Sequence, residues 1–224
     1  MSSTVASRWD AIQAEIRRAS EEAGRDPSGI TTIVVTKFHP ASLVRELYAA
    51  GARHVGENRH QEAVAKHAEL QDLDLTWHFV GQLQSNKARA VSEYASVIHS
   101  VDRPSLVDAL ERAEKPLDVF LEVNLTSVPG RGGVEPSGLR DLAEHVLRVP
   151  TLSLRGLMAV APQDEDAAKA FDRVRRYSLD LQTIAPFASD LSIGMSGDFR
   201  EAIAAGATHL RIGSAITGNR PEKT

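Results

Sequence analysis

Apolar residues recur along the chain at two different periods. Near the start they lie three and four positions apart, the spacing of one buried helix face, at Trp9, Ile12, Ile16, Ala19 and Ala23. Gly24 and Pro27 follow, and both residue types commonly end a helix. The pattern predicts a helix over residues 7–23.

Beyond this helix, short apolar segments rich in β-branched residues alternate with segments of helical spacing. Eight have the length and composition of strands: residues 30–36, 53–55, 76–80, 96–99, 117–123, 152–157, 190–193 and 208–212. Such alternation implies a parallel sheet with crossover helices. Eight units in 224 residues leave 28 residues each, enough for one strand, one helix and two short loops.

We therefore predict a single α/β domain over residues 1–224, folded as a (β/α)8 TIM barrel with an extra N-terminal helix. A doubly wound open sheet, which uses the same alternation, is the alternative. No helix is apolar all round, so we expect a monomer.

The composition excludes several classes of protein. Lys and Arg number 26 against 30 Asp and Glu, so the basic excess typical of nucleic-acid partners is absent. The chain has no cysteine, which excludes disulfides, thiolate metal sites and a cysteine nucleophile. No apolar segment is long enough to cross a membrane, and the charged N-terminal segment does not resemble a signal peptide. We expect a cytoplasmic protein without nucleic-acid or membrane partners.

In a barrel of this type, the residues at the carboxyl ends of the strands form the site. Lys37 directly follows the first β-branched run and is one of only six lysines. A partly desolvated amine at this place suits Schiff-base formation with a carbonyl compound. The alternative is a lysine that reaches solvent or pairs with Glu57.

The loops after the seventh and eighth strands indicate an anion site. Ser196 and Gly197 precede a helical segment, and Gly213 and Ser214 end the eighth strand. Free N–H groups at such turns bind phosphate, and barrels often hold phosphate in these two loops. An ordinary helix N-cap is the alternative role for Ser196.

Arg211 lies two residues before Gly213, so both face the same side of a strand. Its guanidinium would hydrogen-bond a ring nitrogen or a phosphate of a bound ligand. The alternative is a salt bridge to an acidic residue such as Glu122 from another strand.

Other motifs are absent or leave their role open. The eight histidines do not form HExxH or a His-x-His pair, and neither GxGxxG nor GxxxxGK[ST] occurs in the right context. We therefore expect no metal and no nucleotide fold. The Gly- and Pro-rich loop over residues 126–138 is long for a compact fold, which is typical of a functional loop, and flexibility alone is the alternative explanation.

Seven segments carry a family resemblance: VVTKFHP, VGENRHQE, WHFVGQLQSNK, HSVD, GLMAVAP, LSIGMSGDFREAI and HLRIGSAITG. In order and spacing they resemble the pyridoxal phosphate homeostasis proteins, which are similar to a free-standing alanine racemase N-terminal barrel. The resemblance covers residues 30–218.

The resemblance implies that pyridoxal 5′-phosphate (PLP) is held as a Schiff base on Lys37. It places Asn58 near the pyridine ring and Arg211 at the ring nitrogen. It assigns the phosphate to Ser196, Gly213 and Ser214. Two departures stand out: the 126–138 loop, whose contacts are left open, and Thr217 in place of a common aromatic residue, which we expect to affect local packing only.

The resemblance also bears on turnover. A guanidinium keeps its proton, so a ring nitrogen facing Arg211 stays unprotonated and the cofactor is a poor electron sink. Racemases of the related fold add a tyrosine from a separate C-terminal domain, for which residues 212–224 leave no room, and Tyr48, Tyr94 and Tyr177 fall in predicted helices. The resemblance thus implies a protein that stores, buffers or delivers PLP with little or no turnover, and with PLP-dependent apo-enzymes as partners. The alternatives are a PLP-dependent amino-acid racemase and a barrel for another phosphorylated metabolite.

Overall fold

The computed structural model describes residues 4–126, 128 and 130–218, and its eight strands form one closed barrel. The strands β1 to β8 are Thr31–Val35, His54–Glu57, Thr76–Phe79, Val97–Val101, Leu117–Glu122, Leu152–Met158, Asp190–Ser192 and His209–Ile212. Each strand pairs in parallel with the next, and β8 pairs with β1. The predicted TIM barrel is confirmed, and the open sheet is wrong because the β1–β8 pairing leaves no edge.

Helices follow the strands on the outside of the barrel. Helices α1 to α9 are Val5–Glu22, Ala41–Ala49, His60–Glu69, Ala88–Tyr94, Pro104–Leu110, Leu139–Leu147, Ala167–Gln182, Phe199–Ala204 and Ser214–Thr217. Single 3-10 turns occur at Pro27–Gly29, Ser85–Lys87 and Pro136–Gly138. None of the helices that the structure describes is both long and apolar enough to cross a membrane.

The extra N-terminal helix is present as α1. It begins after Thr4, whose hydroxyl accepts a hydrogen bond from the Ser7 N–H at 3.1 Å and so caps one free donor. Its buried face, which includes Trp9 and Ile16, packs against α2, α8 and α9. Arg8 donates to the Ile216 carbonyl at 2.6 Å, so α1 supports the segment that follows the last strand.

Most buried apolar side chains form one continuous core that strands and helices share. The inside of the barrel is different, because buried polar side chains such as His78, His99, Ser192 and Arg211 also occur. Phe120 lies among them, with its ring stacked on that of His99 at a centroid distance of 4.6 Å. Buried polar groups are costly unless they are hydrogen-bonded, so the barrel interior needs an ordered hydrogen-bond network.

Candidate functional site

A cleft of about 410 Å³ opens at the carboxyl ends of β1, β7 and β8. It brings together five of the six residues that the sequence singles out. Its lining consists of Val35, Lys37, Phe38, His39, Met195, Ser196, Gly197, Arg211, Gly213, Ser214, Thr217 and Gly218. The carboxyl ends of parallel strands meet at one edge of a barrel, which is why residues far apart in sequence share this cleft.

Lys37 lies at the wall of the cleft, one residue after Thr36, and its side chain is half-buried. The alternative pairing with Glu57 is wrong. Glu57 is fully buried and instead forms an ion pair with Lys66 at 2.5 Å. Among the described residues, nothing accepts a hydrogen bond from the Lys37 amine. The amine is therefore available to a ligand.

The loop after β7 is organised by Asp198 rather than by Ser196. The Asp198 carboxylate accepts a hydrogen bond from the Met195 N–H at 2.6 Å, and Asp198 occupies the N-cap position of α8. The N-cap role considered for Ser196 is therefore wrong. Gly194 has φ of +90°, and a Cβ there would lie 2.5 Å from the Ala202 Cβ, so only glycine lets this loop pass so close to α8.

The loops after β7 and β8, for which the sequence predicts an anion site, adjoin each other and both line the cleft. Ser196 Oγ lies 3.5 Å from the Ala215 N–H and so connects the loop after β7 with the start of α9. The N–H groups of Gly197 and Ser214 have no acceptor within the described part of the chain. Unpaired donors at a cleft wall are suited to phosphate oxygens.

Arg211 is almost fully buried at the floor of the cleft. It donates to the Ser192 carbonyl at 2.5 Å, the Ser192 hydroxyl at 2.8 Å and the Ala159 carbonyl at 2.9 Å. These bonds use three of the five N–H groups of a guanidinium and leave two for a ligand. No ion pair joins Arg211 to Glu122 among the residues that the structure describes, so the alternative salt bridge is wrong.

Burial changes the pKa of both Arg211 and Glu122. It lowers the pKa of Arg211 to about 10, so this side chain remains a cation at neutral pH. Burial also raises the pKa of Glu122 to about 7. Glu122 lies outside the 410 Å³ cleft and lines a neighbouring pocket with Gln82 and Arg131.

A chain of hydrogen bonds runs from Arg211 through the barrel interior. Ser192 Oγ is 2.8 Å from His99 Nδ1, His99 Nε2 is 2.9 Å from His78 Nδ1, and His78 Nε2 is 3.0 Å from His54 Nδ1. A guanidinium can only donate, so Ser192 Oγ accepts from Arg211 and its own proton can be donated to His99. Such donation would place the proton of each neutral histidine of the chain on Nε2.

Burial supports the neutral state of these histidines. It lowers the pKa of His78 and His99 well below the usual histidine value, and the neighbouring histidines lower it further. Burial also lowers the pKa of His209, whose ring lies close to those of His78 and His99, to about 4. His78, His99 and His209 therefore form a neutral hydrogen-bonding and ring-packing cluster inside the barrel, next to Arg211.

Asn58 is the one predicted site residue outside the cleft. It lines an adjacent pocket with residues such as Phe79 and Lys87. Its backbone packs tightly on Gly81, where a Cβ would lie 2.4 Å from the Asn58 carbonyl oxygen. Its side-chain Oδ1 is buried, with no hydrogen-bond partner in the described chain. Its contact with a ligand ring stays a prediction.

The structure adds residues that sequence reasoning missed. Phe38 and His39 line the cleft beside Lys37, and their position within the same VVTKFHP segment was the available signal. Thr217 is buried and also lines the cleft. Sequence reasoning gave Thr217 a role in local packing only, and its place in the cleft lining was missed.

The Gly- and Pro-rich loop lies beside this cleft, not in it. Asn124 accepts a hydrogen bond from the Thr126 N–H at 2.9 Å and donates to Glu135 at 3.1 Å, which ties the two ends of the loop together. Residues 127 and 129 lie outside the described residues. The rest of the loop contributes to the neighbouring pocket with Glu122.

Residues 8–221 match the family described as alanine racemase, N-terminal domain. The chain is 45% identical to the pyridoxal phosphate homeostasis protein of Pseudomonas aeruginosa, over 97% of this chain and 96% of that one. The structure of PipY from Synechococcus elongatus with PLP bound is 39% identical, with a TM-score of 0.84 over 96% of this chain and all of that one. Alanine racemase from Corynebacterium glutamicum shares the fold at 17% identity, with a TM-score of 0.71 over 92% of this chain and 60% of that one.

Proposed function

The chain belongs to the alanine racemase N-terminal domain family, and on this premise we propose that it is a PLP-binding protein of PLP homeostasis. Its role is to store, buffer or deliver PLP. The relatives named for PLP homeostasis and the PLP-bound PipY structure support this function.

One observation carries the proposal: a single cleft holds a lysine, two loops with unpaired N–H groups and a buried guanidinium. PLP presents an aldehyde, a phosphate and a pyridine nitrogen. An amine, phosphate-binding N–H groups and a cationic hydrogen-bond donor are the complementary groups. The chemical groups that line the cleft are therefore complementary to those of PLP.

Each group of the chain has a distinct part in binding. When bound, PLP supplies an aldehyde that condenses with an amine with loss of water. Lys37 supplies that amine, while Ser196, Gly213 and Ser214 surround the phosphate. Arg211 donates a proton in a hydrogen bond to the ring nitrogen and keeps it, because a guanidinium remains protonated at neutral pH.

We propose that the protein has little or no catalytic turnover. No tyrosine lines the cleft: Tyr48 is on α2, Tyr94 on α4 and Tyr177 on α7. A racemase needs a second acid or base opposite the lysine, and the cleft offers no such tyrosine. A racemase would change the circular dichroism of L-alanine over hours, whereas we expect no change above that of free PLP.

We further propose a cytoplasmic monomer that passes PLP to apo-enzymes. The absence of cysteine agrees with a protein that needs no oxidising compartment. Transfer is tested by mixing the PLP-loaded protein with a PLP-dependent apo-enzyme and comparing reactivation with that by an equal amount of free PLP.

The function is tested by the absorbance spectrum of the purified protein with PLP, before and after borohydride. We expect a visible Schiff-base band that borohydride removes, with the stable adduct mapped by peptide mass to Lys37. A protein that takes up no PLP would contradict the proposal and point to another phosphorylated metabolite. Binding of PLP without a trappable adduct would contradict the covalent part.

Arg211→Ala is expected to shift the absorbance band of bound PLP and the pH dependence of that band, because the ring nitrogen loses its donor. The change also leaves the Ser192 and Ala159 carbonyls without their buried donor, so it should destabilise the protein by about 2–4 kcal/mol. Urea unfolding and spectra at several pH values measure the two effects. An unchanged pH dependence of the band would contradict contact with the ring nitrogen.

A further inference from the structure

The backbone next to Lys37 adopts an unfavourable conformation. Phe38 has φ of +68°, and it is the one non-glycine residue with positive φ among those that the structure describes. This left-handed region crowds the Cβ of an L-residue, and bulky side chains rarely occupy it. Something outside the turn must hold it, and the direction of the turn determines where Lys37 leaves the backbone.

Helix α3 supplies the restraint through two residues one turn apart. Glu62 Oε2 accepts a hydrogen bond from the Phe38 N–H at 2.9 Å, directly after Lys37. Lys66 Nζ donates to the Thr36 carbonyl at 2.7 Å, directly before Lys37. The backbone on both sides of Lys37 is thus bonded to the same helix.

The contact through Lys66 is deeply buried. The Lys66 side chain is 8% exposed and the Glu57 side chain is not exposed at all. Glu57 Oε1 also accepts from the Thr36 hydroxyl at 2.6 Å. Buried charges of this kind persist in a fold only when each has its partner. The Lys66–Glu57 pair therefore holds Thr36, the residue before Lys37, in a fixed position.

Neither Glu62 nor Lys66 lines the cleft. Their effect on a ligand must therefore pass through the backbone of residues 36–38. The guanidinium of Arg59 lies 5.0 Å from the centre of the Phe38 ring. It also pairs with Glu62 Oε1 at 3.4 Å, and so adds a further contact to the same turn.

We propose that Glu62, supported by Lys66, is a positioning residue that holds the turn after β1 so that the Lys37 amine points into the cleft. The inference rests on the proposed function, because its consequence is the rate at which Lys37 forms a Schiff base. Orientation of a reacting group is a large part of the rate of such a bimolecular step.

The test compares Glu62→Ala with Glu62→Gln. Alanine removes the acceptor for the Phe38 N–H, whereas the glutamine amide oxygen retains it. We expect the second-order rate constant of Schiff-base formation with PLP, followed by absorbance, to fall about tenfold for E62A, as for loss of one charge-assisted hydrogen bond. E62Q should stay within about twofold of wild type.

Two further measurements distinguish a positioning role from a general loss of stability or of ligand binding. Inhibition of PLP uptake by inorganic phosphate should give the same phosphate affinity in all variants, because the phosphate loops are untouched. Glu69→Ala, an exposed change at the end of the same helix, should leave the rate and the thermal midpoint unchanged.

A double variant, Glu57→Gln with Lys66→Met, tests the second contact without stranding a buried charge. It too should slow Schiff-base formation while phosphate affinity is retained. A wild-type protein that forms no Schiff base would overturn the proposed function itself. A reactive wild type with E62A at the same rate would overturn only the positioning role.

Discussion

Replacing Lys37 with alanine is expected to abolish the borohydride-stable adduct and to weaken PLP binding about a hundredfold or more, the equivalent of roughly 3 kcal/mol. Lys37 is the one lysine that lines the described cleft. The proposed phosphate contacts of the two loops and the donors of Arg211 remain, so residual binding should persist. Absorbance titration and mass mapping after borohydride measure the two effects.

The fold should tolerate this change. The Lys37 side chain is half-buried, and no described residue depends on its amine for a hydrogen bond. Lys37→Arg is the matched control, because it keeps the positive charge without an amine that can condense with an aldehyde. It should also lose the adduct but retain more affinity for the phosphate. Loss of folding in K37A would show that Lys37 is structural, and an undiminished adduct at another lysine would contradict its assignment.

The second large effect is expected on acidification. Burial lowers the pKa of His78 and His99, and that of His209 to about 4. Below about pH 6.5 the unfolded chain binds protons at these histidines and the folded protein does not. The stability that these neutral histidines contribute is therefore fully present above pH 6.5. It is lost as the pH falls, by up to about 1.4 kcal/mol per pH unit for each histidine.

Buried carboxyls act in the opposite direction. Burial raises the pKa of Glu122 to about 7 and also raises that of Glu57, so the folded state binds these protons more tightly than the unfolded chain does. In all, six histidines have a lowered pKa and three carboxyls a raised one, so we expect a net loss of stability as the pH falls from 6.5 to 4.5. Urea unfolding at pH 8, 7, 6 and 5 measures it.

His78→Gln isolates the contribution of one histidine. Glutamine can still bridge neighbours in the chain of hydrogen bonds but does not titrate, so the pH slope should fall by about one proton, roughly 1.4 kcal/mol per pH unit. Stability that stays constant between pH 8 and pH 5 in the wild type would contradict the prediction. So would a slope in H78Q equal to that of the wild type.

The order of strands and helices was predictable from the sequence because each depends on a local period. All eight predicted strands are present, each shifted by only a few residues at its ends. The grouping of Lys37, Ser196, Arg211, Gly213 and Ser214 was predictable for a related reason. Each follows or ends a strand, and in a barrel all parallel strands end at the same edge.

Only the tertiary structure decided which polar side chains bond to one another. Ser192 lies 93 residues from His99 and 19 from Arg211, yet it bonds to both. Such contacts depend on the closure of the barrel and on how far neighbouring strands are staggered. No local sequence pattern specifies these two features precisely enough to predict a hydrogen bond.

The same reason accounts for the contacts around Lys37. A pair between Lys37 and Glu57 was one alternative that the sequence left open, whereas in the structure Glu57 binds Lys66 and leaves the Lys37 amine free for a ligand. The sequence by itself therefore determined the fold and the chemical groups of the cleft. The partner of each buried charge was decided by burial in the folded barrel, where an unpaired charge is too costly to remain.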